Sequence, residues 1–115
     1  MKAIKVTCST GKVVVLREPL IGDQVRASES ASNRLGESAS KYSFVIAMNQ
    51  EMAKLLLLQV GGKDVKASER EDIDSLLSYV EYSEVAQVVG KLTGTEKDAK
   101  LEFITVKESA NSGDK

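Results

Sequence analysis

The stretch from Ile4 to Pro19, IKVTCSTGKVVVLREP, decides the fold. Its first half alternates apolar and polar residues, its centre is a polar turn that contains Gly11, and its second half is rich in valine. Alternation of this kind on both sides of a short glycine turn predicts a β-hairpin. Pro19 has no N–H to donate to a sheet and favours an extended residue before it, so we expect the second strand to end near Arg17.

The region after this hairpin has the apolar spacing of helices. Asp23 fits the N-cap of a first helix, which Gly36 and the serines at 38–40 should weaken or end. The strongest helical pattern runs from Lys41 to Val60, and the pair Gly61-Gly62 supplies its C-terminal stop. We therefore expect one long helix over residues 41–60.

Two more helices are predicted before Thr93. Ser68 and Glu71 fit a capping box, which predicts a helix that continues to Leu77. The aromatic and β-branched pair Tyr79-Val80 should break it, because such residues are weaker helix formers. The last helix is then expected to run from Ser83 to Leu92.

The predicted class is α+β, with an N-terminal β-hairpin packed on a bundle of three to four helices. Residues 1–94 form one domain in this interpretation, and residues 95–115 form a C-terminal extension. The alternation at 100–106 predicts a strand that could join the hairpin as a third strand. The polar residues after Lys107 are expected to be disordered.

Composition excludes several classes of function. The chain has 115 residues, with 16 Lys and Arg against 17 Asp and Glu, so its near-neutral charge argues against nucleic-acid binding. Aromatic residues make up only 4%, which leaves few side chains for stacking on bases. The most apolar run, Leu55 to Leu58, is far too short to span a membrane, and the N-terminus lacks a secretory signal. We therefore expect a cytoplasmic protein without a membrane partner.

The sequence offers little material for catalysis or for cofactor binding. It has no His and a single Cys, which excludes His-containing triads, His-ligated metals, an internal disulfide and multi-Cys zinc motifs. Cys8 lies on an alternating apolar face and is interpreted as a buried residue. The turn at 9–12 lacks the upstream glycine of a phosphate-binding loop. We expect no enzyme activity, no cofactor, and neither catalytic nor metal-binding residues.

The acidic residues at 69–74 do not have the spacing of a calcium loop, and they suit the solvated start of a helix. Charge is unevenly distributed along the chain. Residues 1–21 contain four basic residues against one acidic, whereas residues 63–92 contain four against seven. This asymmetry predicts head-to-tail self-association as one possibility.

An apolar stripe is the best candidate for partner binding. Methionine-rich stripes serve both as adaptable binding surfaces and as core, and both interpretations stay open here. If the stripe binds a partner, a helix lying along it is the expected mode. The residues of this hypothesis are Met48, Met52, Leu55, Leu56, Val85 and Val89.

The segment from Val14 to Asp23, VVLREPLIGD, follows a short alternating strand and leads into a helix. It resembles the small tail assembly chaperones of tailed phages, including the Mu-like and lambda-like groups. The later order is also similar, with a Leu-rich helix, a glycine turn, an acidic Leu helix and a final helix. The resemblance covers residues 3–94. The serine-rich stretch at 28–43 is longer than expected for that family, and the chain from Leu101 onward has no counterpart in it.

The resemblance implies a non-enzymatic role in the cytoplasm of a host cell that carries a phage or prophage. Such chaperones bind the tape measure protein, a long helical protein that would otherwise aggregate. They also recruit tail tube subunits and are absent from the finished virion. The family has no catalytic residues, so the resemblance assigns none to this chain. Two other functions stay open, a minor structural tail protein of the virion and a small bacterial protein-binding adaptor.

Overall fold

The computed structural model describes residues 2–94 and 102–106. Within them the chain is α+β, as the sequence predicts. The elements in chain order are β1 (Lys2–Thr7), β2 (Val13–Arg17), α1 (Ile21–Leu35), α2 (Lys41–Leu56), β3 (Leu57–Val60), β4 (Lys63–Asp64), α3 (Ala67–Arg70), a 3-10 turn (Ile73–Ser75), α4 (Tyr79–Leu92) and β5 (Glu102–Thr105). In these residues no helix is long and apolar enough to cross a membrane.

The strands form one antiparallel sheet in the order β4-β3-β2-β1-β5. The predicted hairpin is confirmed as β1 and β2, and β2 ends at Arg17 as expected. Its turn is closed by two backbone hydrogen bonds, from Gly11 N to the Cys8 carbonyl (2.8 Å) and from Cys8 N to the Lys12 carbonyl (2.9 Å). Ile4, opposite Leu16 on β2, faces the helices.

Helix α2 packs against both α1 and α4 and forms the centre of the helical layer. On α1, the two fully buried alanines Ala27 and Ala31 let the backbones of α1 and α2 approach closely. Small residues at the start of the serine-rich stretch, and Ala27 just before it, therefore have a packing role. The core comprises Ile4, Val6, Cys8, Val14, Leu16, Ala27, Ala31, Ala47, Met48, Met52, Ala53, Leu56, Leu57, Val65, Ile73, Leu77, Val85 and Val89.

The prediction of one helix over 41–60 is wrong at its C-terminal end, because α2 stops at Leu56. Residues Leu57–Val60 instead form β3, which pairs with β2. Gly61 and Gly62 both have positive φ (60° and 85°), and they form the two-residue turn that joins β3 to β4. The free edge of β2 and this glycine turn together favour a strand over the continued helix.

The capping box predicted at Ser68 is also wrong. Helix α3 is a single turn, Lys66 precedes it, and the Lys66 N–H donates to Glu69 Oε1 at 2.8 Å. The expected helix over residues 71–77 is replaced by the 3-10 turn. Two apolar residues of this segment, Ile73 and Leu77, still reach the core.

Helix α4 begins at Tyr79, four residues before the predicted start at Ser83. Ser78 is its N-cap, with Ser78 Oγ accepting from Glu81 N (3.2 Å) and Glu81 Oε1 accepting from Ser78 N (2.8 Å). This reciprocal pair is a capping box. Tyr79 and Val80 therefore form the first turn of a helix, and the predicted break at these residues is wrong.

The N-cap assigned to Asp23 needs a similar correction. Helix α1 begins at Ile21, and Asp23 lies in its first turn, where Asp23 Oδ2 accepts from Leu20 N at 2.8 Å. The carboxylate still accepts a hydrogen bond from a backbone N–H at the start of the helix, as an N-cap side chain would. Asp23 is, however, the third residue of the helix and does not precede it. The expected end at Gly36 is confirmed.

Strand β5 confirms the strand predicted at 100–106 and pairs with β1. Lys5 and Glu102 lie opposite each other and form an ion pair at 3.6 Å. This short strand therefore belongs to the same sheet as the elements of residues 2–64. The predicted disordered tail after Lys107 lies outside the described residues.

Candidate protein-binding groove

The six residues of the partner-binding hypothesis lie in or against the core. Met48, Met52, Leu56, Val85 and Val89 are buried, and the half-buried Leu55 packs against the same cluster. Their side chains pack α2 and α4 against each other and against the sheet. These residues therefore do not form an exposed face.

A groove between α2 and α4 exposes a different set of residues. Its volume is about 760 Å³. Tyr79 is 84% exposed and Tyr42 is 77% exposed, which is unusual for aromatic side chains on a small domain. Ile46 is exposed as well. The lining residues are Lys41, Tyr42, Val45, Ile46, Asn49 and Gln50 from α2, and Tyr79, Ser83, Ala86 and Gln87 from α4.

The helical repeat explains how α2 supplies both the groove and the core. Tyr42, Ile46 and Asn49 follow each other at three- and four-residue spacing and therefore share one side of α2. Met48 and Met52 lie on the other side, within the core. Tyr79, the first residue of α4, begins the corresponding row on the α4 wall of the groove. Each row extends over two helical turns, or about 10 Å.

The two walls of the groove are joined by a partly buried hydrogen bond. The hydroxyl of Tyr82 on α4 donates to the carbonyl oxygen of Gln50 on α2 at 2.8 Å. Burial raises the pKa of Tyr82 well above its ordinary value, and the Glu51 carboxylate adds to the effect. The hydroxyl therefore stays protonated and able to donate. This link holds α2 and α4 at a fixed spacing, which favours a preformed groove.

Acidic side chains precede the α4 wall. Glu71, Asp72 and Asp74 are exposed, and within the described residues none of them forms an ion pair. Among the smaller contributions to the raised pKa of Tyr82, Arg34 lowers the pKa and Asp74 raises it. Arg34 also donates to Gln50 Oε1 at 3.1 Å, so side chains of both signs of charge act on this part of the chain.

A buried ionic cluster organises the segment from Val14 to Asp23. Asp23 is fully buried, and it accepts two hydrogen bonds from Arg17 (2.6 and 2.7 Å) and one from Arg26 (2.8 Å). The hydrogen bonds from Arg17, more than any other interaction, hold the pKa of Asp23 well below its usual range. Arg17 also donates to the carbonyl of Leu55 at 3.3 Å. The cluster fixes β2, the start of α1 and the end of α2 together.

A second cluster ties the hairpin turn to α4. Glu81 Oε2 accepts from Thr10 Oγ1 at 2.5 Å, and Lys12 Nζ lies 3.4 Å from Glu81 Oε1. Hydrogen bonds from Ser78 N–H and the Thr10 hydroxyl, together with Lys12, lower the pKa of Glu81 to about 2. A smaller groove of about 640 Å³ runs beside this cluster. Among the described residues, the charged side chains that line it are Lys12 and Glu81, which already form an ion pair with each other.

The lone cysteine is placed for packing. Cys8 is buried, and burial raises the pKa of its thiol, with Glu84 and Glu81 adding to the shift. A thiol with a raised pKa is a poor nucleophile at neutral pH. Across residues 2–94 and 102–106, no group of three or more His, Cys, Asp or Glu side chains is placed to hold a metal ion.

The basic excess of the hairpin is largely neutralised within the chain. Lys5 pairs with Glu102, Lys12 with Glu81, and Arg17 with Asp23. These pairs remove most of the charge on which head-to-tail association would depend. Self-association stays a prediction.

Sequence reasoning missed Tyr42, Ile46 and Tyr79 as exposed residues of the groove. A signal for Tyr79 was present, because the sequence holds two Ser-x-x-Glu patterns, one at Ser68 and one at Ser78. Only the second caps a helix, and that choice places Tyr79 on the first turn of α4. No comparable signal distinguishes Ile46 from the core residues nearby.

Comparison with known protein families, with curated proteins and with solved structures finds no match to this chain. These comparisons therefore neither support nor contradict the resemblance of the segment from Val14 to Asp23. The geometry of the groove is the main structural guide to function.

Proposed function

We propose that the protein is a non-enzymatic tail assembly chaperone of a tailed phage or prophage. It binds a helix of the tape measure protein in the groove between α2 and α4, and it recruits tail tube subunits during assembly. The observation that carries this proposal is the pair of exposed tyrosines, Tyr42 and Tyr79, on the groove walls. The sequence resemblance of VVLREPLIGD supports it, although the acidic Leu helix that the resemblance implies at 71–77 is a 3-10 turn in the structure.

The groove suits a helical ligand on physical grounds. A third helix placed along two neighbouring helices buries an apolar row that it would otherwise expose to water. Large amphipathic rings such as those of Tyr42 and Tyr79 are frequent anchors of protein interfaces, because they bury much area for little lost conformational freedom. Removing one such anchor typically costs about 2 kcal/mol, or roughly thirtyfold in Kd.

The direct test is binding of the full chain to the tape measure protein of the phage or prophage that encodes it. The two proteins are produced together, and the Kd is measured for wild type, Tyr42→Ser and Tyr79→Ser. We expect each variant to bind at least about tenfold more weakly. Val25→Ser is the matched control, since Val25 is exposed on α1 outside the groove.

Circular dichroism on every variant separates loss of binding from loss of folding. The proposal is overturned if wild type does not bind, or if folded tyrosine variants bind as tightly as wild type. A second measurement separates a chaperone from a structural tail protein. If the protein is a chaperone, mass spectrometry of purified phage particles should not detect it. Its detection in the particles would favour the minor structural tail protein. A pull-down that recovers host proteins, without the tape measure protein, would favour the adaptor.

A further inference from the structure

We propose that Arg70 binds a carboxylate side chain of a partner protein, at a site where three arginines share one buried aspartate. The site lies at the C-terminal end of α2, where Leu55 follows Tyr42 by 13 residues, or about 20 Å along a helix. It is therefore separate from the groove walls at Tyr42, and the inference goes beyond the proposed function without resting on it.

Two arginine side chains contact the same short stretch of backbone at this end of α2. Arg17 Nη2 donates to the carbonyl oxygen of Leu55 at 3.3 Å, and Arg70 Nε donates to the carbonyl oxygen of Leu57 at 2.9 Å. The Cα atoms of these two leucines are at most about 7.6 Å apart, because each step along the chain spans about 3.8 Å. The two guanidinium groups are therefore neighbours that carry the same charge.

One carboxylate neutralises this group of arginines. Asp23 accepts hydrogen bonds from both Arg17 (2.6 and 2.7 Å) and Arg26 (2.8 Å). Arg70 is half-buried, and within the described residues it forms no ion pair. Three guanidinium groups against one carboxylate leave a local excess of two positive charges.

Arg70 is the arginine of this group that has donors to offer a ligand. The two terminal amino groups of Arg17 already donate to Asp23, to the Leu55 carbonyl and to the Glu18 carbonyl. The two terminal amino groups of Arg70 donate to no group in the described part of the chain, while its Nε–H bond to the backbone holds the guanidinium in place. Such a pair of amino groups matches the two oxygens of a carboxylate, as the Arg17–Asp23 pair already shows.

The surroundings of Arg70 favour the arrival of an anion. Burial lowers the pKa of Arg70, and the positive charge of Arg17 lowers it further. The guanidinium stays protonated at neutral pH, but its charged form is less stable here than in water. A carboxylate placed against Arg70 would offset both effects, because an opposite charge stabilises the charged form.

The charges around Arg70 favour a ligand with a single negative charge. Glu69 and Glu71 flank Arg70 in the sequence, and Glu69 Oε1 already accepts from the Lys66 N–H at 2.8 Å. These carboxylates repel a phosphate group, with about 1.5 to 2 negative charges, more strongly than a carboxylate with one. Arg70 is still partly exposed on the single turn of α3, so an acidic side chain of another protein can reach it.

The test is an NMR titration of the isotope-labelled full chain, which follows the Nε–H signal of Arg70 and the backbone amide signal of Glu71. The probe is the tripeptide Gly-Glu-Gly with blocked ends, and its control is Gly-Gln-Gly with the same ends. We expect the glutamate peptide to shift both signals with a Kd of about 10 mM, and the glutamine peptide to leave them unchanged. Sodium chloride at the same ionic strength should not reproduce the shifts.

Three variants identify the residue that binds. Arg70→Gln should abolish the shift of the neighbouring amide signal, and Arg70→Lys, which keeps the charge without the paired amino groups, should weaken binding at least about fivefold. Arg34→Gln is the matched control, because Arg34 lies in the last turn of α1, far from Asp23 in the first, and pairs with Glu51. It should bind the glutamate peptide like wild type. Circular dichroism checks the fold of each variant, and the comparison of the two peptides on wild type depends on no variant.

Several outcomes would overturn the inference. Equal shifts from the two peptides, or from sodium chloride, would show that no carboxylate is recognised, and unchanged binding in folded Arg70→Gln would exclude this residue. Inorganic phosphate is the third probe, and tighter binding of phosphate than of the glutamate peptide would replace the protein carboxylate by a phosphate ligand. Tyr42→Ser should bind the glutamate peptide like wild type. If the peptide binds and the tape measure protein does not, the proposed function fails and this inference stands.

Discussion

Arg17 donates hydrogen bonds of 2.6 and 2.7 Å to the two carboxylate oxygens of Asp23, across the turn that contains Pro19. Both residues belong to the segment from Val14 to Asp23, VVLREPLIGD. The pair connects the end of β2 to the first turn of α1, and Arg17 continues to the last turn of α2 through the Leu55 carbonyl. The most distinctive sequence motif therefore has a structural role, which is to fix the helices relative to the sheet.

Asp23→Asn should destabilise the fold. It removes a buried carboxylate from two arginines, and we expect a loss of about 2–3 kcal/mol, below the cost of breaking a fully buried pair because Arg17 is 27% exposed. Urea denaturation at neutral pH measures the loss. Glu29→Gln, an exposed change on the same helix, should leave the midpoint unchanged. An Asp23→Asn protein as stable as wild type would show that the ionic cluster is dispensable.

Glu81 should contribute to a loss of stability in acid. Its pKa in the folded chain is about 2, below the ordinary value of 4.5, so its contribution is present above about pH 4.5 and disappears as the pH falls towards 2. Urea midpoints of wild type and Glu81→Gln are compared over this range. We expect a constant difference at higher pH that narrows in acid. A difference independent of pH would mean that the charge of Glu81 has no part in stability.

Aspartate at Met52 and serine at Tyr79 should have opposite consequences. Met52 is fully buried, so Met52→Asp places an unpaired carboxylate in the core and should unfold the chain. Tyr79 is largely exposed, so Tyr79→Ser should keep the helical circular dichroism spectrum and the melting temperature close to wild type. A folded Met52→Asp protein would contradict the assignment of this residue to the core.

The glycine turn between β3 and β4 should tolerate little change. Gly62 has a φ of 85°, and alanine in such a conformation costs about 1–2 kcal/mol. Thermal melting of Gly62→Ala should reveal this loss. Gly22→Ala is the control, since Gly22 lies in α1 without a positive φ and a methyl group there would meet only the flexible Arg26 side chain. Equal effects of the two substitutions would exclude backbone strain as the cause.

The sequence predicted the class and the hairpin because both depend on local pattern. Alternation around Gly11 and the stop at Pro19 needed no knowledge of distant residues. Strand β3 was different, because Leu57 to Val60 fit a helix as well as a strand. The outcome depended on the free edge of β2, which lies some 40 residues earlier in the chain.

The candidate site was harder to predict than the fold. Methionine and leucine at helical spacing indicate an apolar face but do not say whether another element of the chain covers it. Met48 and Met52 are covered by α1 and the core, whereas Tyr42 and Ile46, on the same helix, are not. Only the packing of α2 between α1 and α4 distinguishes the two sides.

The order of strands also bears on how the chain is made. β1 leaves the ribosome before the other strands of this sheet, yet β5, which covers its outer edge, is synthesised after every helix of the described residues. During synthesis the outer edge of β1 therefore stays unpaired until most of the chain has been produced. Exposed strand edges recruit other chains. Until then, the unpaired edge of β1 can pair with other chains and lead to aggregation. Pairing of Glu102–Thr105 with β1 covers this edge.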